Sequence, residues 1–72
     1  MTRDQAIEVA TRFVHANNYA AGALELAHFL PASPPVRDAD EWAVVFENRT
    51  APGSSLAIRV DPRTSEATLF VP

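Results

Sequence analysis

The sequence predicts an α+β fold in which one N-terminal helix packs on an antiparallel β-meander of three or four strands. Apolar residues recur every three or four positions before residue 17, which is typical of an amphipathic helix, and they alternate after residue 41, which is typical of strands. The length is the third observation. Because 72 residues supply one small core and not two, we expect a single domain over residues 1–72.

The N-terminal segment carries a helix-start signal. Thr2 and Gln5 have the spacing of a capping box, in which each side chain accepts a hydrogen bond from the other residue's backbone N–H. Asn17 and Asn18 are expected to end the helix, because Asn tolerates the left-handed backbone that follows many helices. The apolar stripe between these signals comprises Ala6, Ile7, Ala10, Phe13 and Val14.

The segment from Tyr19 to Leu30 fits two structures. Its Ala, Leu and Glu content favours a helix, although Gly22 would weaken it. Its alternation favours a strand with Leu24, Leu26, His28 and Leu30 on one side. We predict a strand from about Ala23 to Leu30, because a fourth strand beside the Trp42 segment would cover an otherwise open sheet edge.

Three alternating runs follow a proline-rich loop. Since proline lacks a backbone N–H and restrains the preceding residue, Pro31 to Asp40 is predicted to be that loop. The last strand is expected to run to the C-terminus after a tight turn at residues 61–65. The face to be covered by the helix comprises Trp42, Val44, Phe46, Leu56, Ile58, Val60, Leu69 and Val71.

Two features of the sheet are candidates for binding. Trp42 is interpreted as the anchor of the helix on the sheet, with the alternative that it lies on the open face as a binding hot spot. The opposite face of the sheet is thinner, and Val45, Ala57 and Phe70 form a small apolar patch on it for a partner or a second copy.

The composition argues against several classes of function. Without cysteine there is no disulfide, thiolate nucleophile or cysteine zinc site, and two glycines do not build a phosphate-binding loop. The serines and the two histidines, His15 and His28, stand in no catalytic motif, so we expect no enzymatic activity, no cofactor and no metal. A net charge of −3 without an arginine cluster argues against nucleic acid.

The location expected from the sequence is cytoplasmic. No apolar run approaches the roughly 20 residues that a bilayer requires, so we expect no membrane partner. The first residues also lack the basic-then-apolar layout of a secretory signal.

The acidic run at residues 38–41 follows the stiff proline loop and has three interpretations. It could hold Ca²⁺, although the glycine and terminal glutamate of an EF-hand loop are missing. It could be a solvated strand start, or an acidic prong that attracts a cationic partner surface. The third interpretation gives the candidate partner-binding residues Pro34, Pro35, Arg37, Asp38, Asp40 and Glu41.

The C-terminal half resembles a known pattern. Residues 41–46, EWAVVF, and residues 56–67, LAIRVDPRTSEA, are similar to the W-x-V-x-F … V-D-x-x-T-G-E pattern of PepSY-like domains and of small bacterial toxin-immunity proteins. Ser65 stands where that pattern has a glycine with positive φ. The resemblance, over about residues 41–71, implies non-enzymatic binding to a toxin or a peptidase and lends no catalytic residue.

We therefore predict a protein-binding module, immunity-like or inhibitor-like, that meets its partner through the acidic proline-rich loop and the adjacent sheet edge. The alternative is a small-ligand or sensing domain with a pocket between helix and sheet. We also predict a homodimer at high protein concentration, formed by the uncharged C-terminal strand at the sheet margin.

Overall fold

The computed structural model describes residues 1–70 and confirms the α+β fold with a helix on an antiparallel meander. Helix α1 spans Arg3–Ala16, and four strands follow in chain order. Their bounds are Ala21–Leu30 for β1, Glu41–Asn48 for β2, Ser55–Val60 for β3 and Ala67–Leu69 for β4. The strands lie in the sheet in the order β1-β2-β3-β4, and every neighbouring pair is antiparallel.

Helix α1 begins and ends as its sequence predicts. The Thr2 N–H donates to the Gln5 Oε1 at 2.8 Å and the Gln5 N–H donates to the Thr2 Oγ1 at 3.2 Å, which completes the capping box. At the other end Asn17 is the C-cap and Asn18 adopts a φ of 57°, in the left-handed region. The two asparagines therefore end the helix as predicted, because Asn tolerates the left-handed backbone that Asn18 adopts.

Strand β1 resolves the ambiguity of residues 19–30 in favour of a strand, which starts at Ala21, two residues earlier than expected. Register shifts between Ala21 and Leu24 and between Leu24 and Leu26 mark a bulged first half. From Leu26 to Leu30 the pairing with β2 is regular. The segment forms a strand despite its helix propensity, because pairing with β2 satisfies the backbone hydrogen bonds of both strands and covers one edge of β2. Local propensity does not include this long-range stabilisation.

The core lies between α1 and one face of the sheet. Small residues of the helix, Ala6 and Ala10, let it approach the sheet closely, and both are fully buried. Phe13 and Trp42 are partly buried and pack against this core, so the indole is an anchor of the helix side. The buried core residues are Ala6, Ala10, Val14, Val44, Phe46, Ile58 and Val60.

Strand β4 follows the predicted tight turn and spans Ala67–Leu69. The Phe70 N–H after it donates to the Ala57 carbonyl on β3 at 2.8 Å, and the predicted core residue Val71 lies outside the described residues. The turn that leads into β4 places Ser65 at a φ of 63°, the conformation for which the resembling pattern has glycine. The Ser65 N–H donates to the Asp61 carbonyl at 2.8 Å, so the hairpin closes despite the side chain. The pairing of the flanking strands holds Ser65 in this strained positive-φ conformation.

Replacing Ser65 with glycine is expected to stabilise the fold. Glycine has no Cβ penalty at positive φ, and this gain outweighs its greater freedom in the unfolded chain. We expect the free energy of unfolding to rise by about 0.5–1 kcal/mol in urea titrations of Ser65→Gly. The matched control is Ser54→Gly in the other turn, whose backbone φ is not in the left-handed region; an equal gain there would contradict the explanation.

Within residues 1–70, no helix is long and apolar enough to cross a membrane.

Candidate partner-binding site

The proline-rich loop is folded back on itself rather than extended. Ser33 and Arg37 exchange backbone hydrogen bonds of 2.8 and 3.0 Å, and these close a tight turn that holds the cis-linked pair Pro34 and Pro35. Both prolines are exposed. Val36 is 84% exposed at the tip. The loop therefore presents a defined apolar tip and directs Arg37 back toward the sheet.

Glu41 lies at the foot of this loop and is committed to an internal ion pair. Its two carboxylate oxygens each accept a hydrogen bond from Arg59, from Nε and Nη2, and both distances are 2.7 Å. Arg37 approaches the same carboxylate with its Nε at 3.4 Å. The Glu41 side chain is only 16% exposed. A bidentate carboxylate–guanidinium pair is the strongest common form of this contact, so Glu41 ties the loop to the sheet.

The pairing with Glu41 has an electrostatic consequence for Arg59. The hydrogen bond from the guanidinium to the carboxylate raises the pKa of Arg59 above its ordinary value, opposed by partial desolvation. Arg59 also lies over the ring of Phe70, with 5.2 Å between its Cζ and the ring centroid. The guanidinium is thus held in place by a carboxylate and an aromatic ring.

An acidic cleft of about 400 Å³ opens between the loop and the β3–β4 turn. The loop contributes Asp38 and Asp40, and the turn contributes Asp61 and Glu66. Two of these carboxylates are anchored by backbone donors: Asp40 accepts from the Ala32 N–H at 2.8 Å and Asp61 from the Arg63 N–H at 2.8 Å. The cleft is therefore built from two separate parts of the chain that meet at one end of the sheet.

The cleft carries most of the net charge of the protein. Five carboxylates and two guanidiniums line it, which leaves a balance of −3. A third guanidinium, that of Arg63, lies 3.6 Å from Asp61 and reduces this balance to −2, out of −3 for the full sequence. Since Glu41 is paired with Arg37 and Arg59, and Asp61 with Arg63, the excess negative charge belongs to Asp38, Asp40 and Glu66. Charge concentrated in a concave site attracts cations more strongly than the same charge dispersed.

The pKa of Asp61 is lowered, first by the hydrogen bond from the Arg63 backbone N–H and then by the Arg63 guanidinium, whose Nε lies 3.6 Å from Asp61 Oδ1. A carboxyl whose pKa is lower in the folded state stabilises the fold above its unfolded pKa, and this contribution is lost as the pH falls through the folded pKa. The cleft therefore keeps the charge of Asp61 under mildly acidic conditions.

Asp61→Asn tests this charge without removing the oxygen that accepts from Arg63. We expect the variant to be less stable than the original protein at pH 7 and the difference to shrink as the pH falls through the lowered pKa of Asp61 in the folded state. Urea titrations at a series of pH values measure it. A difference that stays constant with pH would show that the Asp61 charge contributes nothing.

An apolar depression of about 250 Å³ adjoins the cleft on the face of the sheet opposite the helix. Leu30, Val36 and Phe70 form its walls, with Ala43 and Ala57 among the residues below them. It shares Val36, Arg37, Glu41 and Arg59 with the acidic cleft. The open face of the sheet therefore presents an acidic site and an apolar site side by side.

Four of the six residues predicted for partner binding, Arg37, Asp38, Asp40 and Glu41, line the cleft, and they have different roles. Asp38 lines the cleft without a described hydrogen bond, Asp40 braces the loop, and Glu41 and Arg37 join in the ion pair. Pro34 and Pro35 form the turn above them. Of the three carboxylates that look alike in sequence, Asp38 is thus free of these contacts, whereas Asp40 and Glu41 hold the loop in place.

Sequence reasoning missed the residues that the turn contributes. Asp61 and Glu66 reach the cleft only because β3 and β4 form a hairpin beside β2. Arg59 was not recognised as the partner of Glu41, although alternation places both on the same face of neighbouring strands. Opposite charges on one face of adjacent strands are the signal that finds such a pair.

This chain matches no protein-family model, and searches of curated proteins and of solved structures returned no significant match.

Proposed function

We propose that this protein is a non-enzymatic binding module, immunity-like or inhibitor-like, whose acidic cleft receives a cationic side chain of a partner protein. The observation that carries the proposal is the concentration of five of the nine carboxylates of the protein in one cleft, with Asp38, Asp40 and Glu66 outside its ion pairs. Electrostatic complementarity of this kind accelerates association and selects partners with a basic surface. A toxin or a peptidase is the class of partner that the resemblance of residues 41–71 implies.

The neighbouring apolar depression adds to the chemistry of the partner. At about 250 Å³ it suits an apolar side chain better than a cofactor, since ligand pockets usually exceed 300 Å³. Because the two sites share the Arg37–Glu41–Arg59 pairing, a bound segment would place a Lys or Arg in the cleft and an apolar residue beside it. Apolar burial would then slow dissociation while the carboxylates speed association.

The turn at Pro34 and Pro35 favours binding for a further reason. A loop that is already closed by the Ser33 and Arg37 hydrogen bonds loses little conformational entropy when a partner contacts it. The exposed Val36 at its tip supplies apolar area next to the cleft. The loop is therefore pre-organised as one wall of the site.

The test is a display selection of random peptides on the protein, followed by measurement of association rates. We expect the selected peptides to carry a Lys or Arg next to an apolar residue. Asp38→Asn with Glu66→Gln should slow their association by about tenfold at low salt, because both charges face the cleft and neither side chain braces the loop. The effect should shrink as salt screens the site.

The matched control is Glu25→Gln with Glu47→Gln, which line a separate depression toward the other end of β1 and β2. It changes the net charge by the same amount, and we expect unchanged association. Equal rates for the cleft variant and the original protein at low salt would refute the proposal. So would selected peptides without basic residues.

A small-ligand domain is the second candidate, favoured by the apolar depression alone. Val14, Val44, Ile58 and Val60 fill the space between helix and sheet, and the apolar depression beside the cleft lies on the other face from the pocket predicted. An NMR screen of apolar fragments distinguishes the two candidates. Shifts confined to Ala43, Ala57 and Phe70, together with failure of the peptide selection, would favour this alternative.

A further inference from the structure

Strand β1 is the longer of the two edge strands of the sheet. Within residues 1–70 it pairs with β2 on one side and with no strand on the other. It has ten residues, whereas β4 at the opposite margin has three. An open strand of this length presents a row of backbone donors and acceptors that another strand can pair with.

The features that usually prevent an edge strand from pairing with another chain are weak along β1. The bulge affects only the first half, and the regular half, Leu26–Leu30, contains no proline and none of Asp, Glu, Lys or Arg. The one carboxylate of the strand, Glu25, accepts a hydrogen bond from the Ser55 Oγ on β3 at 2.5 Å, so it reaches over β2 and away from the margin. Nothing in the regular half repels an approaching strand.

Both faces of β1 carry large apolar side chains that are left exposed. Leu26 is paired with Val45 on the open face and is 46% exposed. Phe29 is paired with Trp42 on the helix face, where the ring centroids lie 5.4 Å apart, and is 41% exposed. Apolar residues on both faces are typical of a strand inside a sheet rather than at its margin.

We propose that β1 pairs with the β1 of a second copy of this chain, antiparallel about a two-fold axis, to form a continuous eight-stranded sheet. Centred on His28, the pairing sets Leu26 opposite the partner's Leu30 and Ala27 opposite the partner's Phe29. Residues opposite one another then share a face, and every pair except the central one is apolar. The strand is thus complementary to itself, as a two-fold interface requires.

Charge and length select a second copy as the occupant. A cationic partner of the acidic cleft gains nothing from the uncharged half-strand Leu26–Leu30, whereas the chain itself offers a matching neutral apolar strand. Head-to-tail growth through β4 is disfavoured because that strand offers only three residues, Ala67–Leu69. The dimer expected from the C-terminal strand is therefore moved to the other margin of the sheet, and it is closed rather than open-ended.

Two variants test the arrangement by sedimentation at several protein concentrations. Leu26→Lys places like charges in the interface of both copies, and we expect the dimer dissociation constant to rise by at least about tenfold. The control Ala51→Lys adds the same charge at an exposed position in the turn between β2 and β3, and should leave dimerisation unchanged. Circular dichroism and urea titration show whether Leu26→Lys remains folded.

Disulfide crosslinking tests the register independently, because the sequence has no cysteine. His28→Cys should form a covalent dimer under mild oxidation, since directly opposed strand residues bring their Cα atoms within the range of a disulfide. Thr68→Cys, on β4, should stay monomeric. A protein that is monomeric at all concentrations, a Leu26→Lys variant that dimerises normally, or crosslinking through residue 68 and not residue 28 would overturn the proposal.

Discussion

Replacing Ile58 with alanine is expected to lower the free energy of unfolding by about 2–5 kcal/mol, the range for truncating a large buried aliphatic side chain. Ile58 is fully buried and lies between Val44 on β2 and Leu69 on β4, so neighbouring strands cannot easily close the cavity. A domain of 72 residues has a total stability of only about 4–11 kcal/mol. The variant should therefore be close to unfolding at 37 °C.

Urea titration followed by circular dichroism measures the loss. The control is Val36→Ala, which also shortens an aliphatic side chain, at a position that is 84% exposed. We expect this control to change stability by less than about 0.5 kcal/mol. A loss of that small size at Ile58 would show that the residue is not part of the core.

Neutralising Glu41 is expected to produce the second largest effect. Glu41→Gln keeps the shape of the side chain but leaves Arg37 and Arg59 without their shared anion, and the Arg37 side chain is only 21% exposed. Its Nη1 is buried and has no hydrogen-bond partner among residues 1–70, so the guanidinium depends on the charge of Glu41. Breaking a fully buried pair costs 3–5 kcal/mol, and because Arg59 is half exposed we expect about 1–3 kcal/mol.

The control for this loss is Glu8→Gln on α1. Glu8 also pairs with an arginine, Arg12 at 2.5 Å, but both side chains are largely exposed. Its neutralisation should cost only about 0.3 kcal/mol. Equal losses at the two positions in urea titration would mean that Glu41 does not hold the loop to the sheet.

The Glu41 variant also bears on the interpretation of binding experiments. In the sequence, the three carboxylates of residues 38–41 look interchangeable as binding residues. Replacing all three by alanine would lower both partner binding and the stability of the fold, so the two effects could not be separated. The structure separates Asp38, whose carboxylate faces the cleft, from Glu41, whose carboxylate is consumed by Arg37 and Arg59. Binding variants should therefore change Asp38 and Glu66 and leave Glu41 intact.

Much of the fold could be predicted because local chemistry and global structure agree in this chain. The capping box at Thr2 and the paired asparagines at residues 17 and 18 act within a few residues, so their effect is independent of the rest of the molecule. Strict alternation in β2 and β3 assigns side chains to faces without knowledge of the pairing. The left-handed backbone at Ser65 is likewise a property of the turn.

The two edge strands, β1 and β4, could be predicted less well. Residues 19–30 satisfy two periodicities, and only the pairing of β1 with β2 decides between them. The pairing of β4 with β3 continues to Phe70, whose N–H donates to the Ala57 carbonyl at 2.8 Å, and this long-range contact is not visible in the alternation of the sequence. At both edges of the sheet, long-range hydrogen bonds determine the secondary structure and its extent, which the local sequence does not specify.

The sequence alone determined the excess of acidic charge, its position after a stiff loop, and the absence of cysteine and glycine-rich motifs. Only the tertiary structure decided that Asp61 and Glu66 join this charge, that Glu41 is withdrawn from it by two arginines, and that an apolar depression lies beside it. The physical reason is that a cleft depends on which strands become neighbours. That adjacency arises from hydrogen bonding and packing between residues about twenty positions apart, which no local pattern records.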